Sequence, residues 1–426
     1  MSEENGKKAL RVGLLGFGTV GRGFAQVLQA RDGEAVRITR IFNRGVERKR
    51  SGPGAEFLPA GVEWTERVED VIAAPDIDVV VELVGGVYPV EDWVRTAIKS
   101  GKHVVTANKQ LIAIRGAELL PFAAEHGRQL LYNAAVAGGV PVIPGITQGL
   151  GGDQIERISG ILNGTCNFML SAMERGAEYA DILREAQRLG YAEADPSADV
   201  DGYDARAKLC ILARLAMGAE LKPESVPTQT ISRVSATDFA YAKELGATIR
   251  QISRAEKRED GVRARVAPML VPLSSPLAVS HGTQNTVVTS GRFGGDVVFS
   301  GRGAGGPETA VAVMSDVLAV AGKSMQLRPV ARPMSVSGEV MAPHYLRFIV
   351  SDEPGIVAAI ATALAKVHVN LDSMLQHRGH ASERLAFVMT TERCLRSTLE
   401  DAVEAMGSMS FMVEPPLVLQ ILTTDG

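Results

Sequence analysis

Cysteine is scarce in this 426-residue chain: Cys166, Cys210 and Cys394 are its three, far apart in sequence. They make neither the close spacing of a zinc site nor the dense framework of a small secreted domain, so a reducing cytoplasmic setting is expected. An excess of either charge is also missing. Lys and Arg total 45 against 49 Asp and Glu, a net charge of −4. No broad basic field favours nucleic acid, and the longest like-charge cluster, Arg48-Lys49-Arg50, is short. No apolar run is long enough to span a bilayer, and the polar start from Met1 to Leu10 lacks a signal core, so no membrane partner is expected. Repeats of solenoid period and low-complexity tracts are absent too. What remains is ordinary for a globular protein: 46% hydrophobic and 22% charged residues, with length for two or three domains. Glycine is plentiful at 44, which points to tight turns and close backbone approach to ligands.

Strand-like runs at 10–15, 37–42, 77–83 and 103–106 alternate with helical stretches, the later ones at 90–100 and 116–126. This alternation predicts a Rossmann-like, doubly wound parallel sheet over residues 1–135. Gly138-Gly139, Pro141, Pro144 and Gly145 mark the crossing into a second α+β domain, residues 136–300, for catalysis and dimerisation. Its strands are expected near 155–162, 266–272 and 285–290, and its helices near 167–175, 180–189 and 203–217. A glycine-rich loop at 301–307 and an apolar helix form a segment, 301–325, that returns to the first domain. A linker at 326–343 leads to residues 344–426, where strand, helix, strand, strand, helix, strand predicts a ferredoxin-like βαββαβ module.

Gly16-Phe17-Gly18-Thr19-Val20-Gly21 follows the first strand and opens a helix whose stripe is Val20, Phe24, Val27 and Leu28. In that context G-x-G-x-x-G can cradle a dinucleotide: a tight turn, close backbone approach to the pyrophosphate, and close strand–helix packing, with the helix N-terminus facing the anion. The second strand ends in Asn43-Arg44 rather than in the acid that would hold the ribose hydroxyls of NAD. Nothing there repels a 2′-phosphate and Arg44 can pair with one, so NADP is expected to be accepted beside NAD. Arg48 to Arg50 read as a solvated basic loop.

On the helix at 203–217, Asp204, Lys208, Ile211 and Leu215 share one stripe, while Arg206 and Arg214 are free to reach solvent. An Asp/Lys pair at i, i+4 is ordinarily a surface ion pair. On a core-facing stripe beside a cleft, the lysine can instead act as a proton donor or an electrostatic handle on a carbonyl oxygen. The segment before it is acidic: Glu193, Asp195, Asp199, Asp201, Asp204. Ser197, Asp199, Asp201 and Gly202 match the first positions of a calcium loop, but the twelfth would be Lys208 where a bidentate Glu is needed, which excludes it. These carboxylates are better used on a cationic group such as an α-amine.

Beside these stand Val105-Thr106-Ala107-Asn108-Lys109, Ala137-Gly138-Gly139-Val140-Pro141, Gly160-Ile161-Leu162-Asn163-Gly164-Thr165 and Leu189-Gly190-Tyr191-Ala192-Glu193-Ala194-Asp195-Pro196. With the glycine loop and Asp199-Val200-Asp201-Gly202-Tyr203-Asp204-Ala205-Arg206-Ala207-Lys208, the run resembles homoserine dehydrogenase, in the monofunctional form with a C-terminal ACT domain. The resemblance covers nearly the whole chain and gives no expectation of a fused aspartate kinase. It implies reversible, NAD(P)-dependent conversion of L-homoserine to L-aspartate 4-semialdehyde, in threonine and methionine biosynthesis. Under it, Lys208 is the proton donor and acceptor at the substrate oxygen, Asp204 its partner, and Lys109 a second lysine between cofactor and substrate. Glu193 binds the substrate amine with Asp199 in support, and Thr165 lines the site. Gly16, Phe17, Gly18, Thr19, Val20, Gly21, Arg44, Thr106, Lys109, Gly190 and Gly305 are implied on the cofactor. Backbone carbonyls of Asn133, Val136, Gly138 and Val140 match a sodium site, although the family usually carries Glu where Asn133 stands. Glu308, in Pro307-Glu308-Thr309-Ala310, departs from a Pro-Thr-Ala pattern and takes no role.

The C-terminal module resembles allosteric amino-acid sensors, with Asp352-Glu353-Pro354-Gly355 and Gln376 at effector positions, so L-threonine regulation and at least a homodimer are expected. A plain dimerisation module is the rival. For the whole chain the rival is a catalytically silent amino-acid sensor or assembly protein on the same folds, against which the intact Lys109, Glu193, Asp204 and Lys208 argue. A hydroxyacid dehydrogenase would want a catalytic His paired with an acid, and a semialdehyde dehydrogenase a nucleophilic cysteine. Neither His103, His126 and His281 nor Cys166 supplies one.

Overall fold

The computed structural model describes residues 9–31, 35–259, 261–322, 341–376 and 384–421. The chain divides into two compact units, 1–328 and 329–426. The expected linker at 326–343 lies, except for its last three residues, outside the described residues.

The first unit begins with β1 (Leu10–Leu15), α1 (Thr19–Gln29), β2 (Val36–Phe42), α2 (Val46–Arg50), β3 (Glu63–Thr65), α3 (Glu69–Ile72), β4 (Val79–Glu82), α4 (Val90–Lys99), β5 (His103–Thr106), α5 (Lys109–Glu125) and β6 (Leu130–Leu131). The six strands are parallel, in the order β3-β2-β1-β4-β5-β6. Strands covered on both faces need apolar runs rather than alternation, and Val12, Leu14, Leu15, Val79, Val80 and Val81 are all buried. The strand expected at 77–83 is shorter because the Asp78 carboxylate turns out to Arg11, 2.7 Å away. The helix expected at 116–126 starts seven residues earlier. Asn108 caps it, its side-chain oxygen accepting from the Leu111 N–H, which puts Lys109 in the first turn.

The same unit continues with α6 (Val142–Pro144), β7 (Ile155–Ile161), α7 (Gly164–Met173), α8 (Tyr179–Arg188), α9 (Ser197–Val200), α10 (Tyr203–Met217) and α11 (Ala236–Glu244). After these come β8 (Ala247–Arg258), β9 (Gly261–Pro272), β10 (Gln284–Gly291), β11 (Gly295–Arg302) and α12 (Gly306–Val320). An antiparallel sheet, β11-β10-β7-β8-β9, carries α7 and α10. The sequence pattern did not announce β8 or β11. In β8 the polar Arg250 is fully buried, its charge met by Glu174 at 2.7 Å, so a strand buried on both faces reads as a polar segment. In β11 only alternate residues are half-buried.

Helix α12 packs back into the parallel-sheet core, where Ala310, Val313, Met314 and Val317 join Phe24, Ala25 and Ile38. Its crossing with α1 is so close that a Cβ at Gly23 would stand 2.6 Å from the Gly306 carbonyl oxygen.

The second unit runs β12 (His344–Val350), α13 (Ile356–Lys366), β13 (Leu371–Gln376), β14 (Leu385–Thr391), α14 (Arg396–Gly407) and β15 (Met412–Gln420). Its antiparallel sheet, β13-β14-β12-β15, has the ferredoxin-like order. Leu346, Phe348, Ile360, Leu364, Met389, Leu399 and Met406 make its core. Asp352 to Gly355 and Gln376 are exposed. All three cysteines are free and buried, and among the described residues no helix is long and apolar enough to cross a membrane.

Candidate active site

The glycine turn between β1 and α1 divides its labour as the sequence pattern requires. Gly16 has φ 99°, and a Cβ there would lie 3.1 Å from the Leu83 carbonyl oxygen. A Cβ on Gly21 would stand 2.7 Å from the Gly16 oxygen, whereas one on Gly18 would meet nothing within 4 Å. The turn is therefore closed behind and open in front, where a pyrophosphate can approach. Gly18 is the N-cap of α1 and no side chain caps it, so the first-turn N–H groups are left for an anion. Phe17 sits behind this surface: it is fully buried, edge-on to Trp64, with its N–H held by the Asn43 side chain at 3.0 Å. Arg44, at the end of β2, is exposed, and α2, with Arg48 to Arg50, buries nothing.

From this turn a cleft of about 480 Å³ runs between Thr19 and Val20, the loop Gly303-Ala304-Gly305, Gly190, and the head of α10. At its floor lies Asp204, buried and gripped by two lysines. Lys208 Nζ is 2.7 Å from Asp204 Oδ2, and Lys109 Nζ is 2.5 Å from Oδ1. Lys208 is a helical turn further along α10, while Lys109 arrives from the first turn of α5, across the domain crossing. Burial alone would raise the Asp204 pKa, but the two lysine charges outweigh it and hold the carboxylate far below its ordinary range. The two lysines diverge. Burial lowers the Lys208 pKa, more than its carboxylate neighbours restore, and the Lys109 charge adds to the lowering. Burial lowers Lys109 too, but Asp204, Asp199 and Glu193 overcome it and the net shift is upward. Lys208 donates a second hydrogen bond to the Leu162 carbonyl at 2.8 Å, leaving one N–H direction for a ligand.

Asn163 was not singled out by the sequence pattern, though it lies inside the run from Gly160 to Thr165. Its side-chain oxygen caps α7 through the Cys166 N–H at 2.8 Å, and its amide donates to Asp199 at 2.7 Å and to Asp204 at 3.0 Å. One buried amide thus ties two carboxylates together. Burial raises the Asp199 pKa against the help of that hydrogen bond. Thr165 lines the cleft with its hydroxyl donated to the Tyr191 carbonyl at 2.7 Å, and Tyr191, Thr283 and Thr309 complete the wall.

Of the other residues, Glu193 is exposed beside the cleft rather than in it, near enough to act on Lys109. Thr106 is fully buried, and its hydroxyl faces Glu82 instead of the cleft. Arg214 is not a solvent-reaching residue. It is nearly buried and donates to the Ile112 and Ala113 carbonyls, riveting α10 to α5. Glu308 pairs with Arg302 at 3.3 Å and leans over Gly305, whose φ is 128°. Among the described residues no histidine lines the cleft, and Cys166 is buried with its thiol pKa pushed well up. Away from the cleft, Asn133 donates from its N–H and its side chain to the buried Asp316, at 2.8 and 2.5 Å. Burial pushes the Asp316 pKa to about 7, against the pull of the Asn133 N–H. Val136 and Val140 are buried, and between them the chain turns at Ala137 and Gly138 with φ 56° and 51°.

A dinucleotide turn that opens onto a buried aspartate held by two lysines fits an NAD(P)-dependent oxidoreductase. The family model for homoserine dehydrogenase matches residues 141–318, that for the homoserine dehydrogenase NAD-binding domain residues 16–133, and that for the ACT domain residues 344–409. Homoserine dehydrogenase of Pseudomonas aeruginosa is 37% identical, covering 97% of this chain and 99% of the relative. That of Synechocystis is 38% identical over 97% and 100%. A solved homoserine dehydrogenase from Thiobacillus denitrificans is 35% identical with a TM-score of 0.70, over 97% of this chain and 98% of its own. A hyperthermophilic archaeal homoserine dehydrogenase in complex with NADPH is 26% identical with a TM-score of 0.63, over 76% of this chain and 100% of its own. The chain belongs to the homoserine dehydrogenase family.

Proposed function

We propose that this chain interconverts L-homoserine and L-aspartate 4-semialdehyde with NADP or NAD. The observation that carries this is the pair of lysines on one buried aspartate at the end of a dinucleotide cleft. The turn at Gly16, Gly18 and Gly21 and the α1 N-terminus would hold the pyrophosphate, with Thr19, Val20, Gly190 and Gly305 along its path. When bound, the nicotinamide supplies or accepts the hydride. Lys208 Nζ takes the hydroxyl proton of homoserine and returns it to the aldehyde oxygen in reduction, a task that its lowered pKa suits. Lys109 keeps its proton and stabilises negative charge on the same oxygen. Asp204 stays ionised and holds both ammonium groups in place, while Glu193 and Asp199 take the substrate amine. The test is purified protein with L-homoserine and NADP or NAD, followed at the absorbance of the reduced cofactor. No turnover with either would end the proposal.

The open end of β2 supports acceptance of NADP. Arg44→Asp is expected to weaken NADP more than NAD, because it replaces a phosphate partner by a repelling charge. The ratio of the two kcat/KM values measures this, and an unchanged ratio takes Arg44 out of the ribose pocket.

The ACT module is the basis for proposing L-threonine as effector and a homodimer as the assembly. Threonine is expected to inhibit the full chain, and ending the chain at Ser337 to abolish that inhibition while leaving hydride transfer. Indifference to threonine at on the order of 1 mM, the weak end of ligand affinities, would leave dimerisation as the module's use, to be read by light scattering. A sodium ion on the carbonyls of Asn133, Val136, Gly138 and Val140 is proposed from the family resemblance, with the Asn133 and Val140 carbonyls each accepting one backbone N–H, from Val136 and Val142. A Cβ on Gly138 would stand 2.4 Å from the carbonyl oxygen of Gly303, a cleft residue, so replacing sodium by choline should then weaken cofactor binding. The three free cysteines suit a reducing cytoplasm.

A further inference from the structure

Glu82 ends β4, beside Leu15 of β1 on one side and Thr106 of β5 on the other. Between β1 and β4 the strand order reverses, and at such a point an open α/β sheet holds its ligand at the carboxyl ends of the strands. A carboxylate fully buried there is costly unless it is satisfied. It is satisfied by three uncharged donors. One oxygen accepts from the Val84 and Gly85 N–H groups at 2.7 and 2.9 Å, the other from the Thr106 hydroxyl at 2.5 Å. The Thr106 oxygen in turn accepts from the Asn108 N–H at 3.0 Å. Asn108 donates its amide to the Gly86 carbonyl at 2.6 Å and caps α5 at Leu111 at 3.1 Å. One acid therefore fixes two things at once. It shapes the 83–86 loop, whose Leu83 oxygen and Val84 side chain lie behind Gly16, and through Thr106 and Asn108 it sets the first turn of α5, where Lys109 reaches Asp204.

We propose that Glu82 is a positioning residue for hydride transfer, acting through the 83–86 loop on the cofactor turn and through Thr106–Asn108 on Lys109. The carboxylate accepts on both sides at once. Glutamine, equal in shape, can keep its oxygen on the two backbone N–H groups only by turning its NH₂ to Thr106, whose hydroxyl must then accept instead of donate and leaves its own hydrogen without that partner. This proposal rests on the oxidoreductase function proposed above. Wild-type turnover is the control that separates the two, since an inactive wild type condemns that function and not the role of Glu82.

The experiment compares Glu82→Gln, Thr106→Val and Thr106→Ser with wild type. It measures kcat, the dissociation constant of NADPH by fluorescence, the melting temperature of the free protein, and the isotope effect with deuterium on the transferring carbon of NADPH. Glu82→Gln and Thr106→Val are expected to lose about 10- to 100-fold in kcat, the scale of a misplacement near 1 Å. They should also weaken NADPH and raise the isotope effect as hydride transfer becomes limiting, beside a lower melting temperature from the buried group left without its partner. Thr106→Ser, which keeps the hydroxyl, should restore most of the loss. Glu82→Gln with wild-type kcat overturns the proposal, as does a lower melting temperature with unchanged isotope effect and NADPH affinity, the mark of a purely structural acid. Should Glu82→Gln not fold, the contrast between Thr106→Val and Thr106→Ser decides by the same readouts.

Discussion

Lys208→Ala is expected to lose at least about 100-fold in kcat, the scale of general acid–base assistance, while binding NADP nearly as wild type does. The ammonium is nearly buried, and two of its three hydrogens go to Leu162 and Asp204, so the remaining one has a fixed direction. Alanine leaves no proton carrier at that point, and a water placed there lacks the orienting helix. The fold should tolerate the change. Alanine is a good helix former, and Asp204 keeps Lys109 and Asn163 as partners. Cofactor affinity is set mainly at the glycine turn, which Lys208 does not touch. Steady-state kcat together with a fluorescence titration of NADPH checks both halves. Near-normal turnover would remove Lys208 from the chemistry, and a large loss of NADPH affinity would make it a cofactor residue instead.

What the sequence makes legible here is what local periodicity carries. The stripe of Asp204, Lys208, Ile211 and Leu215 puts an acid and a lysine on a core-facing side, and in the structure Asp204 and Ile211 are buried. The glycine turn reads from its strand and helix neighbours. The start of α5 falls at Lys109 and not at the expected residue 116, because the Asn108 cap sets it rather than the apolar stripe that follows. Asn163 and Glu82 are different. Each is one polar residue inside an apolar run, and its meaning lies in partners 36 and 24 positions away, Asp199 and Thr106. No local pattern separates such a residue from a solvated one. The same holds for β8, where Arg250 hides a buried strand because its partner Glu174 sits 76 positions upstream. Arg214 is the converse error: a wheel places it off the core stripe, yet α5 brings the carbonyls that bury it. Buried polar groups are where tertiary pairing overrides the local pattern, and Asn163 and Asp204 are two that line the cleft.

Asp204→Ala should be the most damaging single change in the site, in stability as well as turnover. It strands the Lys208 ammonium, 12% exposed, without its carboxylate, and leaves the Asn163 amide with Asp199 alone. Breaking a buried pair from one side costs on the order of 3–5 kcal/mol, because the surviving charge has lost its solvent and its partner. Lysine has an escape that arginine lacks: it can release its proton. With the Asp204 carboxylate gone, burial and the Lys109 charge act on Lys208 against Asp199 alone, so its folded pKa falls below the already lowered wild-type position. The unfolded lysine keeps its proton to about pH 10.4. Between those two values the unfolded chain binds more protons than the folded one, so the mutant's unfolding free energy rises with pH across that window. The defect should therefore be worst in acid and shrink toward alkaline pH. Removing both charges tests the cause. Asp204→Ala with Lys208→Met should unfold at a higher denaturant concentration than Asp204→Ala alone, although both are inactive. If the double mutant is the less stable, with the two losses simply adding, the buried pair is not what holds α10 in place.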